Sequence, residues 1–253
     1  MKFASKKQTK PNLLYNPTKR LSAILLLIVF LFSAIFAKMF AVIIVEGEAL
    51  QVSAINLPFS TFTLNMSWGI IPFVMLVYVA TTNCVNLTDG LDGLAGYTSV
   101  AYFLWFAILL YFIYDDAVKA GNSEYAKEVL SLCVFSASML GGLLGYLVFN
   151  GYPAKIMMGD TGSLALGAAC ASVAVFSKNP LLIVTSGIMY VLSGISVILQ
   201  VLYYKLTKKR IFLMAPFHHH LEMKGLHESK IVTIYFVCSM VGGALTLIFA
   251  RAI

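Results

Sequence analysis

Charged residues are scarce in this sequence and account for 11% of its 253 positions. Soluble domains carry about 25% charged residues, so a water-soluble globular fold is excluded. In their place the chain has 60% hydrophobic residues and a mean hydropathy of +0.86. Apolar runs of roughly 20 residues can cross a bilayer as helices, which satisfy their own backbone hydrogen bonds in lipid. The composition therefore indicates a helical integral membrane protein.

Cysteine is also rare, with four residues at positions 84, 133, 170 and 238. They lie in or beside apolar segments, and none forms a Cys-x-x-Cys pair. The sequence therefore supports neither a zinc site nor a disulfide framework, and we interpret the cysteines as small hydrophobic residues. The apolar segments also lack the strict alternation of a membrane β-barrel strand.

The apolar segments predict an all-α fold, a polytopic membrane helical bundle that forms one domain over residues 1–253. About seven transmembrane helices are expected: Leu21–Val45, Trp68–Asn83, Leu94–Tyr114, Val129–Phe149, Ser163–Phe176, Leu181–Tyr204 and Ile231–Ala250. The basic segment Met1–Arg20 is not a signal peptide, because it is long and no small-residue cleavage pattern follows it. The fifth helix is shorter than a usual span, so we expect it to be tilted, broken or re-entrant.

Basic residues predict the orientation in the membrane. If the N-terminus is cytoplasmic, thirteen Lys and Arg residues fall on the cytoplasmic side and four on the other. Such an excess marks cytoplasmic loops. The loops Asn83–Gly93, Asn150–Gly162 and Leu206–Lys230 then open on the cytoplasmic face. All polar clusters are thus predicted at one face, where the basic residues meet anionic lipid or substrate phosphate and no nucleic acid is expected.

The first polar cluster, Asn83–Gly96, ends an apolar run. In a continued helix Asn83, Asn86, Asp89 and Asp92 are about one turn apart, so they would share one face. Such a face can hold a ligand or a cation. The alternative is a helix cap followed by a Gly-rich turn.

The second cluster, Asn150–Ser163, places Asp160 between two glycines just before a predicted helix. One interpretation is that Asp160 caps this helix. A carboxylate that faces other acids across a cavity is better explained by a hard cation, because Mg²⁺ binds carboxylates and phosphate oxygens. Without a cation such acids repel each other and tend to protonate.

The third cluster, Ala215–Gly225, contains three consecutive histidines, His218, His219 and His220, and follows the basic stretch 208–210. Neighbouring residues of a helix point about 100° apart, and there is no His-Glu-x-x-His motif, so a zinc site is disfavoured. Hydrogen bonding and charge toward phosphate are favoured instead. A solvated loop without a role is the alternative.

Three motifs carry a resemblance to a known family: Asn-Leu-Thr-Asp-Gly-Leu-Asp-Gly-Leu-Ala at 86–95, Met-Gly-Asp-Thr-Gly-Ser-Leu-Ala-Leu-Gly at 158–167, and Pro-Phe-His-His-His-Leu-Glu-Met-Lys-Gly at 216–225. They resemble, in the family's order, the phospho-N-acetylmuramoyl-pentapeptide transferases of the polyprenyl-phosphate sugar-1-phosphate transferase superfamily. The resemblance implies Mg²⁺-dependent transfer from UDP-N-acetylmuramoyl-pentapeptide to undecaprenyl phosphate, giving lipid I and UMP in peptidoglycan synthesis. It also implies a multi-pass protein of the bacterial inner membrane, with a cytoplasmic active site, and is compatible with a homodimer.

The resemblance also implies roles for single residues. Asp160 is the expected magnesium ligand. The expected catalytic residues are Asp89, Asp160, His218, His219 and His220. The expected substrate-binding residues are Lys19, Asn83, Asn86, Gly90, Leu91, Asp92, Asn150 and Met157. Asn83, Asn86 and Asp89 are expected at the metal and the diphosphate, the turn 90–92 near the uracil, and the histidines at the diphosphate or the sugar.

Two departures from the family pattern carry expectations of their own. Met157 stands where the family commonly has an aromatic residue, and because Met offers no flat face, weaker nucleotide binding is expected. The family also has an Asp-Asp-x-x-Lys motif in an early cytoplasmic loop. Here no Asp-Asp pair precedes the first predicted helix, and Asp115-Asp116 is predicted on the opposite face of the membrane, so we do not assign it to this motif. If Met1-Lys2 is the end of that motif, the chain begins at an internal methionine and lacks the family's first helices.

Three alternative functions stay open. The first is a transferase for another UDP-sugar, such as UDP-N-acetylglucosamine. The second is a non-catalytic membrane protein or an ion-coupled transporter, because acids within membranes also mark transport pathways. No inverted repeat is visible, which disfavours the transporter. The third is an inactive truncated homologue that still binds UDP-sugar or lipid.

Overall fold

The computed structural model describes residues 54–58 and 63–251. The helices are α1 (Ile70–Thr88), α2 (Leu94–Lys119), α3 (Ser123–Asn150), α4 (Gly159–Phe176), α5 (Ile183–Ser186), α6 (Ile188–Thr207), α7 (Phe217–Met223) and α8 (Glu228–Arg251). Six of those described, all but α5 and α7, are long and apolar enough to cross a membrane. The predicted polytopic helical membrane protein is confirmed. The first predicted span, Leu21–Val45, lies outside the described residues.

A small hairpin departs from the all-α prediction. Strand β1 (Ala54–Asn56) pairs antiparallel with β2 (Thr63–Asn65), with Ile55 opposite Leu64. The Asn56 backbone N–H donates to the Lys178 carbonyl at 2.9 Å. The hairpin is therefore anchored at the C-terminal end of α4, away from Asp160. Its short alternation of polar and apolar residues suits a half-buried strand, which a search for long apolar runs does not detect.

Several helix boundaries differ from the predictions. Helix α1 continues past the predicted end at Asn83 to Thr88, and α4 begins at Gly159 rather than at Ser163. The single helix predicted over Leu181–Tyr204 is wrong, because the chain breaks at Gly187 between α5 and α6. The predicted loop 206–230 contains α7. The earlier start of α4 gives it 18 residues with a mean hydropathy of 1.3, long and apolar enough to cross a membrane, so no broken or re-entrant fifth helix is needed.

Helix α2 forms the centre of the bundle. It packs against α3 and α8, and its aromatic residues Tyr102, Phe103 and Phe106 are fully buried. The Tyr102 hydroxyl donates to the Cys170 carbonyl of α4 at 2.9 Å, so this buried polar group is satisfied. The core thus lies along the length of α2.

Small residues let α1 approach α4 and α6 closely. A Cβ on Gly167 of α4 would lie 2.6 Å from the Thr82 Cα of α1, and a Cβ on Gly194 of α6 would overlap the Cys84 Sγ. Membrane helices commonly associate through such small residues, because packing rather than the hydrophobic effect drives their contact in lipid. Helix α1, which leads into the first polar motif, is therefore held on two sides.

All three polar motifs lie at one end of the bundle. There α1 passes to α2 through the turn 89–93, α3 passes to α4 through the loop 151–158, and the segment 208–227 with α7 joins α6 to α8. A hydrogen bond from Ala154 to Asp92 joins the turn to the loop, and the ring of His227 contacts that of Tyr152 in the loop. We call this set of three segments the polar end.

Candidate active site at the polar end

Two carboxylates from different motifs lie near each other at the polar end. Asn86, in the last turn of α1, donates through Nδ2 to the Asp160 Oδ1 at 3.2 Å and to the Ser163 Oγ at 2.8 Å. Asp89 follows the end of α1 and is partly buried. Burial, and then the nearby Asp160 carboxylate, raise the pKa of Asp89 above its ordinary value. The site therefore disfavours a second negative charge unless a cation is bound.

Asp160 does not cap α4, which contradicts that alternative. The N-cap position is Met158, no side chain caps the helix, and Asp160 lies in the first turn. Its side chain is exposed and accepts the hydrogen bond from Asn86. An acid in the first turn is favoured by the partial positive charge of the helix N-terminus. Asp160 is thus fixed at the site and open to solvent.

The donor set at this site suits magnesium better than a metal that needs a full protein cage. No group of three or more His, Cys, Asp and Glu side chains within 54–58 and 63–251 is arranged to hold a metal ion. Mg²⁺ commonly takes one or two protein carboxylates and completes its shell with water and substrate phosphates. Asp89 and Asp160 fit that pattern, with Asn86 orienting Asp160.

Asp92 does not share a face with the other three polar residues of its motif. Helix α1 ends at Thr88, so the continued helix predicted through this stretch is wrong for Asp92. Its Oδ2 accepts a hydrogen bond from the Ala154 backbone N–H at 2.8 Å, and its own N–H donates to the Glu228 Oε1. Gly93 follows with φ 75°, a left-handed conformation that glycine adopts without strain. The predicted Gly-rich turn is present, and Asp92 connects it to its neighbours.

The other predicted substrate-binding residues have different surroundings. Asn83 is exposed and donates to the Val79 carbonyl of its own helix at 2.7 Å. Met157 is 73% exposed, whereas Leu91 packs beside a buried cluster that includes Leu94. Asn83 and Met157 are therefore open to a ligand. Lys19 lies outside the described residues.

Asn150 holds the loop that leads to Asp160. It is 3% exposed, and its Nδ2 donates to the Ile156 carbonyl at 2.8 Å. A buried amide that bonds to a loop carbonyl fixes the loop against the end of α3. The structure thus gives Asn150 a loop-holding contact, and substrate binding by this residue stays a prediction.

His218 is fully buried. Its ring centroid lies 4.3 Å from that of His219 and 6.1 Å from that of Tyr235. Neither ring nitrogen has a hydrogen-bond partner among the residues that the structure describes. Burial, and then the neighbouring His219, lower the pKa of His218 to about 3. His218 is therefore neutral near pH 7.

The other two histidines face different partners. The His219 Nδ1 lies 2.9 Å from the Glu222 Oε2, and the His220 Nδ1 accepts a hydrogen bond from the Leu213 N–H at 3.1 Å. The ring of His220 also packs against Phe212. Three consecutive histidines on α7 thus point into three different surroundings. Their proposed contacts with phosphate stay predictions.

We expect buried His218 to make the protein less stable as the pH falls below about 6.5, its ordinary pKa. Between that value and the folded-state pKa of about 3, the unfolded chain binds a proton that the folded chain does not. The contribution of His218 to the free energy of unfolding then falls by about 1.4 kcal/mol per pH unit. Above that window the contribution is constant.

Thermal unfolding midpoints between pH 7.5 and 4.5 check this expectation. His218→Met should show a shallower loss of midpoint than the wild type, because it removes the titrating group. His227→Met, which changes an exposed histidine, is the matched control. Equal losses in the wild type and His218→Met would contradict the burial of a neutral imidazole.

Two residues near the site, Glu228 and Tyr146, lie outside the three sequence motifs. Glu228, in the first turn of α8, accepts from the Asp92 N–H. The Tyr146 hydroxyl of α3 is buried, interacts electrostatically with Asp89 and has no hydrogen-bond partner in the described part of the chain. A polar tip within an apolar helix and an acid at a helix start are common, so the sequence alone does not single them out.

The sequence pattern of glycosyl transferase family 4 matches residues 19–178. The chain belongs to glycosyl transferase family 4. The match includes the first two polar motifs, with Asp89 and Asp160, and ends before α7. Asp89 and Asp160 therefore both lie within the region that matches the family.

Curated relatives of this family 4 chain are bacterial proteins named phospho-N-acetylmuramoyl-pentapeptide-transferase. The protein of Acetivibrio thermocellus is 45% identical over 178 residues, which are 70% of this chain and 50% of the relative. That of Clostridium kluyveri is 41% identical over 214 residues, 81% of this chain and 63% of the relative. That of Clostridium perfringens is 46% identical over 189 residues, 75% of this chain and 55% of the relative. The resemblance inferred from the motifs is confirmed, and the matches span about half to somewhat under two thirds of these relatives.

Proposed function

We propose that the protein transfers phospho-N-acetylmuramoyl-pentapeptide from its UDP derivative to undecaprenyl phosphate in a Mg²⁺-dependent reaction. The observation that carries this proposal is the approach of Asp89 and Asp160, from two separate motifs, at one end of a membrane-spanning bundle. The names of relatives at 41% to 46% identity support the choice of substrates. The products are lipid I and UMP.

The reaction needs positioning and charge neutralisation more than covalent help from the protein. An oxygen of the lipid phosphate attacks the phosphorus that carries the sugar. The bond from that phosphorus to the bridging oxygen breaks, and UMP leaves with that oxygen and its electron pair. Asp89 and Asp160 would hold Mg²⁺, which supplies charge neutralisation at the diphosphate when bound. Asn86 keeps the Asp160 carboxylate in place through its amide.

The position of the site suits a substrate that is partly in lipid. The polar end closes a bundle of apolar helices, so a lipid phosphate can arrive from the bilayer while a nucleotide arrives from water. Among the residues that the structure describes, seven Lys and Arg lie at the polar end or beside it, against four at the opposite end. This imbalance supports a cytoplasmic polar end, where the basic side chains attract anionic substrates. A bacterial inner-membrane location follows from the same proposal.

The test is UMP release by the purified chain in lipid nanodiscs. We expect release only when UDP-N-acetylmuramoyl-pentapeptide, undecaprenyl phosphate and Mg²⁺ are all present, with UDP-N-acetylglucosamine inactive as donor. UMP release with UDP-N-acetylglucosamine as the donor, but not with UDP-N-acetylmuramoyl-pentapeptide, would instead identify a transferase for another sugar. Binding of either donor without UMP release would identify a non-catalytic homologue.

A further inference from the structure

We propose that Glu228 is a positioning residue, which holds together the turn that contains Asp89 and the loop that leads into the helix of Asp160. The inference rests on the proposed function for its catalytic consequence, but its contacts stand on the structure alone. Glu228 belongs to none of the three motifs. It lies at the start of α8, far from both carboxylates along the chain.

The contacts of Glu228 connect three segments in series. The Asp92 N–H, in the turn 89–93, donates to the Glu228 Oε1. The Asp92 Oδ2 accepts from the Ala154 N–H at 2.8 Å, in the loop 151–158. We call the set Glu228, Asp92 and Ala154 the clasp. Both hydrogen bonds join a side-chain carboxylate oxygen to a backbone N–H.

The clasp is attached to α8 through Glu228, and its other two residues lie in segments that adjoin the two site carboxylates. Helix α8 is fixed just after Glu228 by Ile231 and Tyr235, which are fully buried. The turn 89–93 contains Asp89, and the loop 151–158 leads directly into α4 with Asp160 in its first turn. A shift of Glu228 would therefore either move the turn, and the loop with it, or break one of the two hydrogen bonds of the clasp.

A simpler role for Glu228 is the one that any acid has in the first turn of a helix, namely interaction with the helix dipole. That role depends on the negative charge and not on the hydrogen bond to Asp92. Glu228→Gln separates the two roles, since its amide oxygen can still accept from the Asp92 N–H while the charge is lost. Glu228→Ala removes both. Glu124→Ala, which removes an exposed first-turn acid of α3 at the opposite end, is the matched control.

Amide hydrogen exchange of the protein in nanodiscs, read by mass spectrometry, reports on the clasp without any reaction. We expect Glu228→Ala to increase exchange in peptides that cover 89–93 and 151–158. Glu228→Gln and Glu124→Ala should exchange as the wild type does there. Unchanged exchange in Glu228→Ala, or equal increases in the Ala and Gln variants, would overturn the clasp.

The Mg²⁺ dependence of UMP release tests the catalytic consequence. In Glu228→Ala the half-saturating Mg²⁺ concentration should rise about tenfold or more, the effect typical of removing a partner that orients a metal ligand. Glu228→Gln should restore the wild-type value. A merely structural role would lower the active fraction and leave this concentration unchanged, and that result would overturn the positioning role. If the wild type releases no UMP, the proposed function fails and the exchange measurement alone decides whether the clasp exists.

Discussion

Asp160→Asn is expected to lower Mg²⁺-dependent UMP release by about 1000-fold, the scale of losing one preorganised electrostatic contact. The Asn side chain has the same size, and its oxygen can still accept from the Asn86 amide. The substitution therefore removes the charge at the site with little change in its shape. The measurement is UMP release as a function of Mg²⁺ concentration, with both substrates saturating.

Asp115→Asn is the matched control for this prediction. Asp115 lies near the opposite end of α2, where it pairs with Lys119 on the surface. The same chemical change there should leave UMP release and its Mg²⁺ dependence at wild-type values, because an exposed ion pair contributes little to stability. Wild-type activity of Asp160→Asn at ordinary Mg²⁺ concentrations would contradict the assignment of Asp160 as a metal-holding residue.

Gly90→Ala is expected to have the second largest effect, a loss of about 1–3 kcal/mol in the free energy of unfolding. A Cβ at position 90 would overlap the Nε2 of His218. That ring is fully buried beside the rings of His219 and Tyr235, so moving it would disturb their packing. The unfolding midpoint in detergent should fall, and UMP release should fall with it because α7 is displaced from the turn.

A double-mutant cycle shows whether the overlap with His218 is the cause. In a His218→Ala background the ring is gone, so Gly90→Ala should cost little more, a non-additivity expected of residues in direct contact. Gly141→Ala on α3 is the control, since, apart from its chain neighbours and the adjacent backbone of α3, no heavy atom of the described residues lies within 4 Å of a Cβ added there. Equal losses of midpoint with and without the His218 ring would show that the turn itself, and not this contact, excludes alanine.

The parts that could be predicted from sequence are those that depend on neighbours along the chain. The thickness of the bilayer sets the length of an apolar span, so hydropathy locates the regions of all six described membrane-length helices, although the helix predicted over Leu181–Tyr204 is broken at Gly187. Antiparallel helices with short connections bring alternate loops to one end. For this reason the sequence placed the motifs of Asp89 and Asp160 at the same end.

The parts that could not be predicted depend on partners far along the chain. Asp92 bonds to Ala154 and Glu228, and Gly90 lies against His218. The helical repeat of the sequence predicts a helix face for Asp92. It does not predict that the helix ends at Thr88, which is what places Asp92 in contact with Ala154 and Glu228. The burial of His218 likewise comes from α8 packing over α7, which no local pattern encodes.

The close approach of Gly167 to Thr82 limits which parts of the protein can move during a reaction cycle. Helices α1 and α4 meet there almost backbone to backbone, and they carry Asn86 and Asp160 respectively. Sliding of one helix along the other would push backbone atoms together, so the two side chains should travel as one rigid unit. Any opening that admits a substrate or releases a product is then left to elements other than this fixed pair.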